Sequence, residues 1–145
     1  MLKHCFAGIA FISVAGACYA QMTPVGSWQT LDDKTREAKS EVQITETSGV
    51  LSGKVVKLLR KDVKQDVVCD ECTDDRKGKP VLGMEIIRGV RKVDGKDVWE
   101  DGKVLDPENG KTYAARLTPI EGGKKLEMRG SFGPLGRTQT WVRVK

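Results

Sequence analysis

The stretch VWEDGKVLDPENGKTYAARLT, residues 98–118, carries the clearest indication of the fold. At its centre, Asp106-Pro107-Glu108-Asn109-Gly110 is a turn sequence, because Asn-Gly readily adopts the positive φ angles of tight hairpins. After the turn, Tyr113, Ala115 and Leu117 occupy every second position, and alternation with a period of two indicates a β-strand. The stretch therefore predicts two antiparallel strands joined by a tight turn.

Alternation of this kind, interrupted by turn residues, recurs along most of the chain. The predicted strands cover residues 25–30, 38–45, 50–59, 84–93, 98–104, 111–118, 124–130 and 137–144. Short strands that follow one another in the chain can remove their exposed edges by closing into a barrel. We therefore predict an all-β fold, an eight-stranded antiparallel up-and-down β-barrel. An open two-sheet sandwich would show the same alternation and is the alternative.

One segment, residues 54–64, also fits a helix, because Val55, Leu58 and Val63 would share one helical face. The preceding Gly53 and the paired valines of the segment favour a strand. We predict a strand here, with the helix as the alternative.

The first twenty residues differ from the rest of the chain. Lys3 and His4 precede an apolar run from Cys5 to Ala17, and small residues flank Tyr19 at the end, which is typical of a secretory signal peptide. We predict a cleaved signal peptide over residues 1–20 and a single barrel domain over residues 21–145. The expected location is periplasmic or secreted. Lipoprotein anchoring through Cys18 is the alternative.

Composition excludes several classes of function. The chain of 145 residues has a formal net charge of +5, with acidic and basic residues intermixed, whereas nucleic-acid binding needs a clustered basic face. Its one histidine is His4, in the predicted leader, so chemistry that needs a histidine base or ligand is not available after cleavage. We predict no enzymatic activity, no cofactor and no metal site.

Cys69 and Cys72 lie in a long charged loop, residues 60–83. In an exported protein, two cysteines are most simply explained by a structural disulfide. A redox site is an alternative, but the neighbouring Asp70 and Glu71 disfavour the reactive thiolate. A zinc site is another, and it would need carboxylates to complete the ligand set. We predict a disulfide.

Trp28 opens the first strand, and Arg137 and Arg143 lie on the last. In a closed meander these two strands are neighbours, so Trp28 can stack under the guanidinium group of Arg143 or of Arg137. We predict that such a pair closes one end of the barrel.

Gly26-Ser27-Trp28 at the start of the first strand, with an arginine near the end of the last, is similar to the lipocalin and calycin pattern. A closer match extends over nearly all of the chain after the leader: Gly53-Lys54-Val55-Val56, Cys69-x-x-Cys72, Pro80 to Met84, Leu105 to Tyr113, Met128-Arg129-Gly130 and Gly136 to Trp141. This order resembles bacterial exported proteins grouped as domain of unknown function family 2147. The resemblance implies a lipocalin-like barrel and a periplasmic or secreted protein. It implies no established reaction.

A ligand could be held inside such a barrel. Uninterrupted alternation places Arg88 on the same face as Met84, Ile86 and Val90, and an inward-facing cation needs a partner, which a ligand carboxylate would supply. A bulge in the strand would instead turn Arg88 outward. The candidate ligand-binding residues are Arg88, Trp99, Tyr113, Leu117 and Met128.

We therefore predict a binding protein for a small hydrophobic or amphiphilic molecule, such as a fatty acid or lipid, without catalysis. The alternative is an envelope structural or interaction protein with a packed barrel that acts through its surface. For that alternative, the basic residues Lys54, Lys57, Arg60, Lys61 and Lys64 could meet anionic lipid headgroups or an acidic partner.

Asp106 and Glu108 form a pair of carboxylates, but they lie in the Asp-Pro-Glu-Asn-Gly turn. They are interpreted as turn formers rather than as catalytic residues.

Overall fold

A computed structural model describes residues 22–145 of the chain. The strands are β1 (Gly26–Leu31), β2 (Ala38–Thr47), β3 (Val50–Leu58), β4 (Glu85–Lys92), β5 (Trp99–Asp106), β6 (Lys111–Ile120), β7 (Lys125–Phe132) and β8 (Leu135–Arg143). One 3-10 turn, Glu121–Gly123, links β6 to β7. All the predicted strands are present, and their ends differ from the prediction by no more than two residues.

The strands form a closed antiparallel barrel in sequence order, β1 to β8. β8 returns to β1, where Trp28 faces Arg143 and Gln29 faces Val142. The predicted up-and-down barrel is therefore confirmed, and the two-sheet sandwich is not formed. The helix considered for residues 54–64 is also wrong, because residues 54–58 belong to β3 and residues 59–64 are irregular loop with a turn at 61–62.

Strand direction gives the barrel two different ends. The end where β1, β3, β5 and β7 finish carries the connections 32–37, 59–84, 107–110 and 133–134; we call it the open end and residues 59–84 the long loop. Of residues 22–145, the opposite end carries the short connections 48–49, 93–98 and 121–124, together with residues 22–25 and 144–145. We call it the closed end.

Apolar side chains fill the half of the barrel near the closed end. Ile44, Leu51, Val90, Leu117 and Leu126 are each at most 1% exposed there. Complete burial of such a side chain contributes about 1.5–3 kcal/mol, so this layer is a main source of stability.

Trp28 and Arg143 close the barrel at this end. Trp28 is fully buried, and the guanidinium carbon of Arg143 lies 4.2 Å from its ring centroid. Arg143 also donates hydrogen bonds to the backbone carbonyls of Gly123 (2.6 Å), Val25 (2.9 Å) and Thr23 (2.7 Å). Burial of Arg143 lowers the pKa of its guanidinium group. The three carbonyl oxygens and the indole face replace the water molecules that the buried guanidinium group no longer contacts.

The glycine of the Gly26-Ser27-Trp28 motif has a steric role in this closure. Gly26 has φ +140°, and a Cβ atom there would collide with the guanidinium group of Arg143. The absent side chain leaves the space that Arg143 occupies.

Arg137 lies far from this end. It is close to the start of β8, and its Nη2 is 3.2 Å from Asp33 Oδ2 near the open end. Six residues of strand cover about 20 Å, so one strand cannot bring both Arg137 and Arg143 to Trp28. The closing role considered for Arg137 is therefore wrong.

Within residues 22–145, no helix is long and apolar enough to cross a membrane. The predicted signal peptide and Cys18 lie outside the described residues. Export, cleavage and lipid anchoring therefore stay predictions.

Candidate functional site

A cavity of about 1400 Å³ lies at the open end of the barrel. All eight strands contribute to its wall, with Thr30, Ser40, Val55, Ile86, Val104, Tyr113, Met128 and Trp141 as representatives of β1 to β8. The long loop and the turn 107–110 line the rest. Ligand sites commonly measure about 300–1000 Å³, so the cavity has room for a small molecule.

The inner wall of the cavity is mainly apolar. Val55, Val104, Met128 and Trp141 line it, and each is at most 8% exposed. Tyr113 adds a half-buried ring, and its hydroxyl group accepts a hydrogen bond from Asn109 Nδ2 at 3.0 Å. A wall of this kind suits the apolar part of a ligand.

Polar groups of the wall are bonded to each other. The hydroxyl groups of Thr30 and Ser40 are 2.7 Å apart. The indole N–H of Trp141 donates to Gln139 Oε1 at 3.2 Å. These internal bonds stabilise the wall without requiring a polar ligand deep in the cavity.

The mouth of the cavity carries charges of both signs. Glu108 Oε1, from the turn 107–110, lies 3.1 Å from Lys39 Nζ and 3.2 Å from Arg60 Nη1. The charged residues that line the cavity are Lys39, Arg60, Lys111 and Arg137 against Asp70, Glu71, Asp106 and Glu108. Because the two signs balance, the mouth has no net formal charge.

Two apolar side chains stand beside these charges. Phe132 and Leu135 face each other across the turn between β7 and β8, and they are 72% and 74% exposed. Both line the cavity. The rim of the mouth is thus apolar at this hairpin and charged around Glu108.

A disulfide links Cys69 and Cys72 in the long loop, as predicted. Both cysteines are fully buried, and Cys69 Sγ is 3.6 Å from the carbonyl oxygen of Pro107. Gly110, at φ +71°, lies so close to the backbone of Glu71 that a Cβ atom would overlap it. The disulfide segment therefore packs directly on the turn 107–110.

Arg76 attaches the long loop to β4. Its side chain is 8% exposed, and its Nη1 donates to the carbonyl oxygen of Glu85 at 2.8 Å. Its Nε donates to the carboxylate of Asp74 at 3.1 Å. The hydrogen bond from the Arg76 side chain, with a second from its backbone N–H, lowers the pKa of Asp74 from 3.8 to about 2.

This lowered pKa predicts a stability change in acid. A carboxyl group with a depressed pKa stabilises the folded state above its unfolded pKa and loses that contribution as the pH falls through its folded pKa. We expect the free energy of unfolding to fall more steeply between about pH 4 and pH 2 in the wild type than in Asp74→Asn. Chemical denaturation at several pH values measures this. Asp94→Asn, at the closed end, is the control, and equal slopes for wild type and Asp74→Asn would contradict the prediction.

The structure separates the five candidate ligand-binding residues. Tyr113 and Met128 line the cavity. Trp99 and Leu117 face each other in register and are buried in the half near the closed end, where they belong to the packed core rather than the cavity wall.

Arg88 lies outside the cavity wall, so its predicted inward orientation is wrong. Its Nη1 and Nη2 each lie 3.0 Å from the carboxylate of Asp75, and its Nε lies 2.6 Å from Glu85 Oε1. Ile87 is the fully buried neighbour, and Gly89, at φ +72°, interrupts the strand. The register between β3 and β4 also shifts at Gly53/Lys54, so that Ile86 and Ile87 are both buried and Arg88 turns outward, 40% exposed. Gly89 lies at the next shift, which returns Val90 to the core.

Sequence reasoning missed the charged group at the mouth. Lys39, Arg60 and Glu108 come from β2, the long loop and the turn 107–110, and no local pattern joins them. For Phe132 and Leu135 the sequence holds a local signal, because Gly133-Pro134 is a turn pair and the apolar residues on both sides of it lie at a hairpin tip.

Comparison with known families identifies the chain. Residues 26–143 match the model of DUF2147, described as an uncharacterized protein conserved in bacteria. The chain belongs to this family. The matched region of this DUF2147 protein begins with Gly26 and ends with Arg143, the two residues in contact at the closed end.

A solved structure resembles this DUF2147 protein. It is the structure of protein HP1028 from Helicobacter pylori, a protein described as belonging to the lipocalin family. The two share 22% sequence identity with a TM-score of 0.70, over 83% of this chain and 82% of that one. A search of curated proteins found no match. The likeness establishes a lipocalin-like fold.

Proposed function

We propose that this DUF2147 protein binds a small hydrophobic or amphiphilic molecule in the cavity at the open end, without catalysis, in the periplasm or outside the cell. The observation that carries the proposal is the cavity of about 1400 Å³ with an apolar inner wall. The lipocalin-like fold supports it, because eight-stranded barrels of this size can hold one small ligand.

The arrangement of the barrel also supports binding rather than a solid structural role. The fully buried side chains are concentrated near the closed end, while Val55, Val104 and Met128 line the cavity near the other. Any apolar surface of the cavity that a ligand removes from water favours binding by roughly 25 cal/mol per Å².

Native mass spectrometry of the protein isolated from its own compartment, with organic extraction of any bound molecule, tests the proposal. A stoichiometric lipid or fatty acid is the expected result.

Val104→Trp places a large side chain on the cavity wall and is expected to weaken uptake of a hydrophobic probe at least about tenfold. Ala114→Trp is the matched control, because Ala114 is the exposed neighbour of Tyr113. An empty native protein, together with no probe uptake by the wild type, would contradict the proposal.

One observation favours a second function, contact with an envelope partner through the surface. Phe132 and Leu135 are exposed at the tip of a hairpin, and exposed apolar patches mark interaction sites. The basic residues considered for this role are less suited, because Lys57 lies 3.7 Å from Glu41 and Arg60 lies 3.2 Å from Glu108. An empty cavity would favour this second function.

A further inference from the structure

Glu108 occupies a position at the mouth where two cations converge. The single atom Oε1 contacts Lys39 Nζ at 3.1 Å and Arg60 Nη1 at 3.2 Å. The side chains of Lys39 and Arg60 are only 23% and 31% exposed, whereas that of Glu108 is 57% exposed. The cations are therefore held within the mouth, and the carboxylate reaches them from its outer side.

Glu108 is free to leave this position. It lies in the turn 107–110, whereas Lys39 is the second residue of β2 and Arg60 lies at the start of the long loop, next to the end of β3. Glu108 is the exposed member of these pairs, so its side chain can rotate into water while Lys39 and Arg60 stay in place. Arg60 then keeps Asp62 and Asp32 nearby, and a ligand carboxylate would restore the partner of Lys39.

A ligand carboxylate could take the place of Glu108 without changing the charge of the site. Arg60 also lies 3.3 Å from Asp62 and 3.8 Å from Asp32, so another negative charge would be unfavourable if Glu108 remained. Exchange of one carboxylate for another keeps the balance among these groups. The ligand carboxylate would contact the same two cations, Lys39 and Arg60, that Glu108 Oε1 contacts now.

The apolar wall begins next to these cations. Leu58 and Val63, close to Arg60 in the chain, line the same cavity, as does Leu31. A molecule with its charged group at Lys39 and Arg60 can therefore extend an apolar chain directly into the cavity.

We propose that Lys39 and Arg60 bind the carboxylate of an anionic amphiphile whose apolar chain occupies the cavity, and that Glu108 is an internal competitor for that carboxylate. The inference rests on the proposed function and adds the chemical class of the ligand. It transfers the role first considered for Arg88 to two cations at the mouth, because Arg88 is already held by Asp75 and Glu85.

Isothermal titration calorimetry with dodecanoate and with dodecanol, which have the same chain length and differ in headgroup charge, tests the inference. Glu108→Gln removes the competing charge and is expected to bind dodecanoate about fivefold more tightly. The double variant Lys39→Gln/Arg60→Gln is expected to bind it at least about tenfold more weakly. Dodecanol affinity should stay within about twofold in all variants, which also shows that the cavity is intact.

Two further variants control for the general effect of charge at the mouth. Lys111→Gln and Glu71→Gln each remove one charge from a residue that lines the cavity and that lies outside the Lys39, Arg60 and Glu108 group. Neither should change the affinity for dodecanoate by more than about twofold.

The outcomes separate the inference from the proposed function. Dodecanoate that binds no more tightly than dodecanol, or that is insensitive to Glu108→Gln and to the double variant, would overturn the headgroup assignment and leave the proposed function standing. Binding of neither compound to the wild type would contradict both.

Discussion

Trp28→Ala is expected to lower the free energy of unfolding by about 4 kcal/mol, the scale measured for large aromatic truncations in cores. Trp28 is fully buried, and the substitution would remove the ring over which Arg143 lies at 4.2 Å. It would also remove the indole N–H that donates to the carbonyl oxygen of Pro24 at 2.7 Å. Arg143 would keep its backbone partners but lose an aromatic contact, at a place where β1 and β8 are paired by only two residue pairs. Equilibrium denaturation in urea measures the change.

Phe132→Ala is the matched control for this prediction. It removes an aromatic side chain that is 72% exposed at the other end of the barrel, so its effect should be below about 0.5 kcal/mol, as for most surface substitutions. A loss of less than about 1 kcal/mol for Trp28→Ala would show that the indole ring does not hold the closed end together.

Gly110→Ala is expected to lower the free energy of unfolding by about 3 kcal/mol or more, from backbone strain and overlap together. Gly110 has φ +71°, in the left-handed region that favours glycine, and the added Cβ atom would overlap the backbone of Glu71. The backbone of Glu71 cannot easily move away from the added Cβ atom, because the disulfide between Cys69 and Cys72 holds it. The substitution should also release the long loop from the turn 107–110, which hydrogen exchange of the loop amides would detect as faster exchange.

Gly95→Ala separates these two causes. Gly95 has φ +72°, almost the same as Gly110, but a Cβ atom there meets nothing within 4 Å. Its cost should be about 1 kcal/mol, the strain of the backbone alone. Equal costs at the two glycines would mean that the disulfide segment does not pack on the turn.

Most of the barrel could be predicted because its signals are local. The alternation in residues 111–118 and the Asn109-Gly110 turn belong to single segments, and the strands that they predict end within two residues of the observed ones. The disulfide followed from two cysteines three positions apart in a chain that is expected to be exported. Each of these inferences needed only neighbouring residues and the expected compartment.

Arg88 shows where such reasoning stops. Its face depended on unbroken alternation from Met84 to Val90, and two register shifts between β3 and β4 break that alternation, one before Arg88 and one after it. The choice between Arg137 and Arg143 likewise depended on where β8 meets β1, which pairs Trp28 with Arg143. A shift of one residue changes the face of a side chain, and such shifts are decided by packing between strands.

By itself, the sequence determined the all-β class, the order of eight strands, the family and the disulfide, because periodicity, turn chemistry and motifs are properties of contiguous residues. Only the tertiary structure decided that the barrel is packed near one end and has a cavity near the other. It alone brought Lys39, Arg60 and Glu108 to one mouth, since they are separated by as many as 69 positions in the chain. Closure of the barrel places them together, and that closure depends on contacts between strands that no single segment contains.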